Sequence, residues 1–457
     1  MLFNTIQYFA FLTVVLVLFY LGPQAWRRVL LLAASYFFYM CWNPVFILLV
    51  LALTAIDYVS AVWMEHVSDP ARRRWLLVAS VGANLGFLGY FKYYNFFASN
   101  AAQLLGHAPD AFALSIILPI GISFHTFQSI SYVVDVYRRQ QEAIRNPIDY
   151  ALFIAFFPQM VAGPIVRARD FFRDLNHWEP PSAPQIQQGA FLVIFGLAKK
   201  MVLADQFALL SEGYFGNVAA HPGAVPAWCG AGAFAMQIFF DFSGYTDIAI
   251  GSAALLGFHF PLNFQRPYLA AGITEFWRRW HISLSSWLRD YVYISLGGNR
   301  GGAWKTYRNL MLTMLLGGIW HGASWNFAVW GAYHGALLSL ERVLPAKRLW
   351  RPLSVAGTFV LVCVGWVFFR AATFGDATFV IGQMFANPHG SPTWKSWHYG
   401  LAAASLILGL VEEKTGWLSR LGDKSALVYA SATAALLIGI ELFGVTEQAI
   451  PFIYFQF

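Results

Sequence analysis

Charge is what this chain of 457 residues has least of. Only 12% of its residues are Asp, Glu, Lys or Arg, half of the roughly 25% usual for soluble domains. A chain so poor in charge and 58% hydrophobic lacks the polar surface of a soluble enzyme and reads as a polytopic membrane protein. Cysteine is also scarce. Cys41, Cys229 and Cys363 stand far apart in apolar surroundings, so they make neither a zinc spacing nor a disulfide framework and read as small core residues. No Gly-x-Ser-x-Gly elbow offers a nucleophilic serine. No Lys or Arg precedes the first apolar run, and no small-residue cleavage pattern follows it. Residues 3–21 therefore read as a first membrane span, not a cleavable signal. There is no internal repeat, no low-complexity linker and no separate soluble stretch, so one membrane-integral domain over residues 1–457 is expected. The missing repeat also weighs against a transporter built from paired halves.

The few charges are distributed informatively. The net charge is +7, which in a membrane protein reports cytoplasmic loops, not a nucleic-acid surface. Arg27 and Arg28 follow the first apolar run, Arg72, Arg73 and Arg74 follow the third, and Arg138, Arg139 and Arg145 follow the fifth, whereas residues 100–111 carry no basic residue. That alternation puts the N-terminus outside the cytoplasm. Arg342, Lys347, Arg348 and Arg351 mark a further cytoplasmic loop. Hydropathy gives about eleven to thirteen membrane segments, re-entrant pieces included. The expected fold is an all-α polytopic bundle. Aromatic residues make up 18% of the chain, as interfacial belts and aromatic-lined cavities require.

The stretch 274–331 concentrates the chemistry. Its first part, 275–293, mixes Trp, Tyr and Leu with Arg278, Arg279, His281, Arg289 and Asp290. Such a charged segment cannot face lipid, so it reads as a re-entrant or interfacial helix lining a cavity, with Arg278, His281 and Ser285 on one face. Its second part is apolar apart from His321, Ser324 and Asn326, with Gly317, Gly318 and Gly322 around the histidine. A helix starting near Asn309 puts His321 roughly 18 Å along it, near the middle of a ~30 Å hydrocarbon core. The glycines leave room for another backbone or a slender substrate. Two readings of His321 stand side by side: a functional group, since a histidine at that depth is expensive, or a buried histidine bonded to a neighbouring helix. Residues 274–308 carry a net +4 of the chain's +7. This basic cluster fits the phosphates of a coenzyme or phosphopantetheine carrier, and equally fits ordinary positive-inside anchoring.

Other polar groups lie in apolar segments. His125, with Gln128 and Ser129, lines a substrate path or bonds to a neighbouring helix. Pro158, Gly163 and Pro164 in FFPQMVAGPIVR forbid a plain helix, so that backbone must face protein or a water-filled cavity. Lys199 and Lys200 mark a membrane boundary or a bend. Asp241 is expected in a structural turn around Gly244, and Asp247 stays open between such a turn and the orientation of a catalytic histidine. No metal-ligand spacing joins them to a histidine, so no bound metal is expected.

FWRRWHISLSSWLRDYVYISLGGNR followed by GGIWHGASWNFAVWGAYHG resembles the membrane-bound O-acyltransferase (MBOAT) family. The likeness is to its bacterial branch of alginate O-acetylation membrane proteins, peptidoglycan O-acetyltransferases and teichoic-acid D-alanyl transfer proteins. PIGISFHTFQSISYVVDVYR, FFPQMVAGPIVR, WVFFRA and the closing PFIYFQF are similar to the branch as well. The resemblance implies an MBOAT-type helical bundle in the bacterial inner membrane and a multi-pass O-acetyltransferase. His321 matches the family's invariant histidine and His281 its second functional position. A base must take the acceptor hydroxyl's proton, and His321 fits that role. His281 is expected to bind donor or orient the acyl group. Arg278, Arg279 and Lys305 are the expected holders of the donor's phosphates. The implied donor is a cytoplasmic thioester, acetyl-CoA or an acylated carrier. The implied partners are a periplasmic acetyltransferase protein, a polysaccharide acceptor of alginate, peptidoglycan or cellulose type, and membrane lipid, with no nucleic acid. A flippase of polysaccharide precursors and a non-catalytic scaffold are the competing function classes.

Overall fold

The computed structural model describes residues 1–344, 350–386, 388–445 and 450–455. Lys347 and Arg348 of the expected cytoplasmic loop lie outside them. Every regular element among the described residues is helical, and the chain is an all-α polytopic membrane protein. By length and composition three helices qualify outright to cross a bilayer: Pro44–His66, Arg351–Arg370 and Ala426–Phe443. A shorter apolar helix is Ile6–Leu21. Several other expected segments are shorter or interrupted helices, and residues 114–119 and 164–167 have no regular structure. The chain forms two compact units, Met1–Gly189 with Ala249–Pro261, and Ala190–Ile248 with Leu262–Phe457.

In the first unit, asparagine or aspartate before proline repeatedly starts a helical segment. Asn43 before Pro44, Asp69 before Pro70 and Asn146 before Pro147 each accept a backbone N–H two residues on, and the proline fills the first turn, where no N–H is needed. Asn43-Pro44 is thus both the break between two apolar runs and the start of the second. The FFPQMVAGPIVR segment behaves as its prolines dictate. Helix Pro147–Ala155 stops at Phe156, a single turn follows at Phe157–Met160, and an irregular backbone leads to helix Ala168–Asn176. Residues 150–166 are buried throughout, so this irregular backbone faces protein. Gly121 supports it. It has φ +75°, and a Cβ there would stand 2.4 Å from the Met160 carbonyl oxygen.

Helix Ala183–Ala198, most of which belongs to the second unit, continues through a π-turn at Lys199–Ala204 into Asp205–Phe215. The wide turn brings both lysines inward. Lys199 Nζ lies 2.6 Å from Asp247, and Lys200 Nζ lies 2.7 Å from Asp205 and 3.0 Å from Asp241. Helix Ala224–Leu255 passes unbroken through Gly244. The expected turn at Asp241 is therefore absent, because a lysine, not a loop, meets its carboxylate.

Helices Ala303–His321 and Trp325–Val343 form a tight antiparallel pair. A Cβ on Gly318 would meet the Phe327 carbonyl at 2.3 Å, one on Gly331 the Met314 carbonyl at 2.4 Å, and one on Gly322 the Phe327 ring at 2.0 Å. Of the two occupants expected beside these glycines, another backbone or a slender substrate, Gly318 has the first, the Phe327 carbonyl and the Gly331 backbone, and Gly322 is met by the Phe327 ring.

Candidate active site

The expected single helix over 275–293 is in fact three pieces. Ile273–Arg279 ends at Trp280, Ile282–Trp287 begins after His281, and a π-turn occupies Leu288–Tyr293. The break is at His281, whose φ of +43° is left-handed, a conformation that costs a side-chain-bearing residue unless its surroundings hold it. Arg278, His281 and Ser285 consequently do not share one helical face. The break turns His281 inward to complete burial, while Arg278 remains exposed.

Asn263 holds His281 there. Its Oδ1 accepts from Ser283 N–H at 3.2 Å and from Ser283 Oγ–H at 2.9 Å, and lies 3.1 Å from His281 Nδ1. A backbone N–H can only donate, so the Asn263 atom is oxygen, and His281 Nδ1 carries the hydrogen. Neutral His281 therefore presents a lone pair at Nε2. That atom can accept a hydrogen bond, and the ring would have to become imidazolium to donate one there to an oxyanion.

His321 is the last residue of helix Ala303–His321, 4% exposed. The helix starts at Ala303, six residues before the expected Asn309, because Lys305 and Arg308 are helical and not in the loop. Ser324 stands in extended backbone before the next helix, so it is not a helical neighbour of His321. Aromatic rings enclose the imidazole: Trp320 at 4.9 Å, Trp330 and Phe369 each at 5.1 Å, and Tyr454 at 5.8 Å between centroids.

The two histidines belong to one aromatic cage. Trp320 lies 6.4 Å from the His281 ring on one side and touches His321 on the other. Phe242 lies 4.7 Å from His281 and 4.6 Å from Tyr454. A closed circuit His281–Trp320–His321–Tyr454–Phe242 results. Tyr454 is placed by Asp241, whose Oδ2 accepts the Ile453 N–H at 2.7 Å. The Lys200–Asp205–Asp241 triad thus anchors the segment that forms one wall of the cage.

The three cations expected to hold a donor's phosphates differ. Arg278 and Lys305 are exposed. Arg279 is spent on carboxylates, 2.8 Å from Glu275 and 2.9 Å from Glu413. Arg266 lies 2.6 Å from the same Glu413, so Arg279 fastens the short helix to Ser396–Thr415. His125 lies in the first unit, buried, and neither ring nitrogen has a hydrogen-bond partner among the described residues. The expected alternative of a bond to a neighbouring helix is not what the structure has. No group of three His, Cys, Asp or Glu that could hold a metal ion occurs among the described residues.

Asn263 and Tyr454 were not among the sequence candidates. Asn263 opens the stretch NFQRPY just ahead of the charged segment, and Tyr454 lies in PFIYFQF. Their polar groups in aromatic surroundings were the available signal, but only the fold brings them to the histidines.

The structure is that of an all-helical membrane protein with two histidines buried in one aromatic cage, and comparison with known proteins gives its class as an integral-membrane acyltransferase. The chain belongs to the membrane-bound O-acyltransferase family, whose model matches residues 124–374. It is 40% identical to the probable alginate O-acetylase AlgI of Azotobacter vinelandii, over 98% of each chain. It is 35% identical to the peptidoglycan O-acetyltransferase of Helicobacter pylori, over 92% of this chain and 82% of that one. With the teichoic acid D-alanyltransferase of Bacillus subtilis the identity is 29%, over 56% of this chain and 69% of the other.

Proposed function

We propose that this enzyme moves an acetyl group from a cytoplasmic thioester, acetyl-CoA or an acylated carrier, across the bacterial inner membrane. The acceptor is a hydroxyl of an exported alginate-type polysaccharide, or of a periplasmic partner protein that passes the group on. The chain works as one membrane-integral domain with its N-terminus periplasmic. The observation that carries this reading is the shared cage of His281 and His321. It supplies a buried base and a second, oriented imidazole in one water-poor site. The similarity to alginate O-acetylases supports the acceptor class.

His321 acts as the general base. Its imidazole takes the acceptor O–H proton as the oxygen attacks the thioester carbonyl carbon. The tetrahedral intermediate then expels the sulfur, and the proton on His321 goes to the departing thiolate. His281 orients the reactants by accepting a hydrogen bond at Nε2, either from the acceptor hydroxyl or from an amide N–H of the donor's pantetheine arm. The exposed Arg278 and Lys305 bind the donor's phosphates. Arg279 supports them by holding the short helix that carries Arg278.

His321→Ala should cost about 10²–10⁴-fold in acetyl transfer, with normal insertion and expression. Wild-type polymer acetylation by that variant would reject the mechanism. The similarity to a peptidoglycan O-acetyltransferase supports a second acceptor. Ester-linked acetate measured separately on exopolysaccharide and on cell wall, in cells with and without the gene, separates the two.

A further inference from the structure

Outside the histidine cage, the first unit contains a cavity of about 410 Å³ at the end of helix Ile6–Leu21. Phe19, Leu31, Leu175 and Phe258, all buried, form its apolar floor, and Arg27, Arg28 and His177 stand among its rim residues. No carboxylate lines it. Asp149 lies behind Arg28 and pairs with it. Arg27 is different, having no carboxylate partner among the described residues. Its Nε donates to the Phe19 carbonyl at 3.1 Å. Its guanidinium stacks 4.1 Å above the Trp178 ring and 5.0 Å from the Phe19 ring. An arginine that only marked the cytoplasmic side would extend into water. This one is half-buried, fixed against two rings, and forms the wall of a cavity with its charge unneutralised. The amino end of helix Arg27–Met40 adds its positive pole at the same place.

We propose that this cavity binds the phosphate headgroup of an anionic phospholipid. The cationic rim suits a phosphate, for which a guanidinium is a two-pronged donor. The apolar floor suits the glycerol and first acyl carbons below it. Its place, just past an apolar helix, is the depth at which headgroups lie, and basic pockets there recognise acidic lipids. A soluble phosphate would satisfy the rim and leave the floor without a partner, so the lipid is the better occupant.

The test uses the full-length protein, delipidated in mild detergent. It is titrated with dioleoyl-phosphatidylglycerol, with dioleoyl-phosphatidylcholine and with inorganic phosphate, and bound lipid is counted by native mass spectrometry. Phosphatidylglycerol should bind saturably and more tightly than phosphatidylcholine. Arg27→Gln should weaken it about tenfold or more, the scale of one lost charge-assisted hydrogen bond. Gln24→Glu adds a carboxylate at an exposed rim position without removing a contact that the fold needs, and should weaken it similarly. Equal binding of the two lipids, or unchanged phosphatidylglycerol binding in both variants, overturns the proposal. Displacement of phosphatidylglycerol by an equal concentration of inorganic phosphate overturns the lipid assignment, because the site would then be one for a free anion.

Discussion

At the scale of single residues the site depends on how two imidazoles are held. His281 has its tautomer set by Asn263 and its backbone in a left-handed conformation. Asn263→Ala should free the ring to rotate and release Nδ1. We expect a fall in acetyl transfer of about tenfold to a hundredfold, the range found when a residue that orients a functional histidine is lost. His281→Ala should fall at least as far. Detergent-solubilised thermal stability separates the roles, since a merely structural His281 would lower stability and activity together. Full activity in either variant would remove His281 from the reaction. His321 was a candidate in the sequence because it interrupts an apolar run, with a structural bond as the other reading, whereas His281 stood in a charged segment and was singled out by the family resemblance. Asn263 and Tyr454 were not legible in the sequence. Their importance comes from contacts across 18 residues in one case, and in the other from a carboxylate 212 residues from Ile453. No local pattern records such distances.

At the scale of elements, close packing and buried charge set the geometry. Gly318 admits the Phe327 carbonyl and the Gly331 backbone, and neither can retreat as a side-chain tip could. Gly318→Leu should separate the helix pair and destabilise the protein by about 1–3 kcal/mol or more. Lower midpoint temperatures and lost activity in detergent would report it, and an unchanged midpoint would contradict the packing. The Lys200–Asp205–Asp241 triad is nearly inaccessible, with side chains 1 to 3% exposed. Lys200→Ala leaves two carboxylates buried without their cation and should cost about 3–5 kcal/mol. Changing all three to Met, Asn and Asn should cost less than Lys200→Ala alone, which a comparison of the two variants' unfolding midpoints would check. The sequence located these elements better than it located their ends. Two adjacent lysines were read as a membrane boundary or a bend, and the structure has a π-turn at Lys199–Ala204. The break at His281 was invisible, because nothing in RRWHIS excludes continued helix. The deciding term is tertiary: Asn263 bonds to His281 and Ser283 after the break, and the Gln265 N–H donates to the Arg279 carbonyl before it.

At the scale of the whole molecule, scarce charge means that each ion pair has a large share of the work. Burial opposes ionising Glu275, yet the Ala271 amide and the Arg279 and Arg351 guanidiniums outweigh it and hold its carboxyl below the ordinary range. A carboxyl with a lowered folded-state pKa stabilises the fold above its unfolded value, about 4.3. That contribution is lost as pH falls through the lower folded value. The pair should therefore add a constant stability between about pH 6 and 8, and the protein should loosen below about pH 4. Glu275→Gln should flatten that acid limb in a pH series of thermal unfolding curves. An acid limb of unchanged slope would mean that other carboxylates control it. Composition alone disclosed the membrane class, a sum over many residues, while the sidedness expected of the loops came from the order of basic residues along the chain. It could not disclose the two compact units, which depend on which helices meet.

The bond from Asp241 to the Ile453 amide also bears on the enzyme's birth. Both histidines leave the ribosome long before residue 453 does, and the cage stays open on its Tyr454 side until then. At roughly 5–20 residues per second, the 212 residues between Asp241 and Ile453 take about 10–40 s to synthesise. His321 is made 80 residues into that interval, and from then until residue 453 the chain has both histidines and an unfinished cage. A chain stopped between residues 322 and 452 retains both histidines and lacks the Tyr454 wall that encloses them. The Tyr454 wall is therefore the last part of the cage to be made.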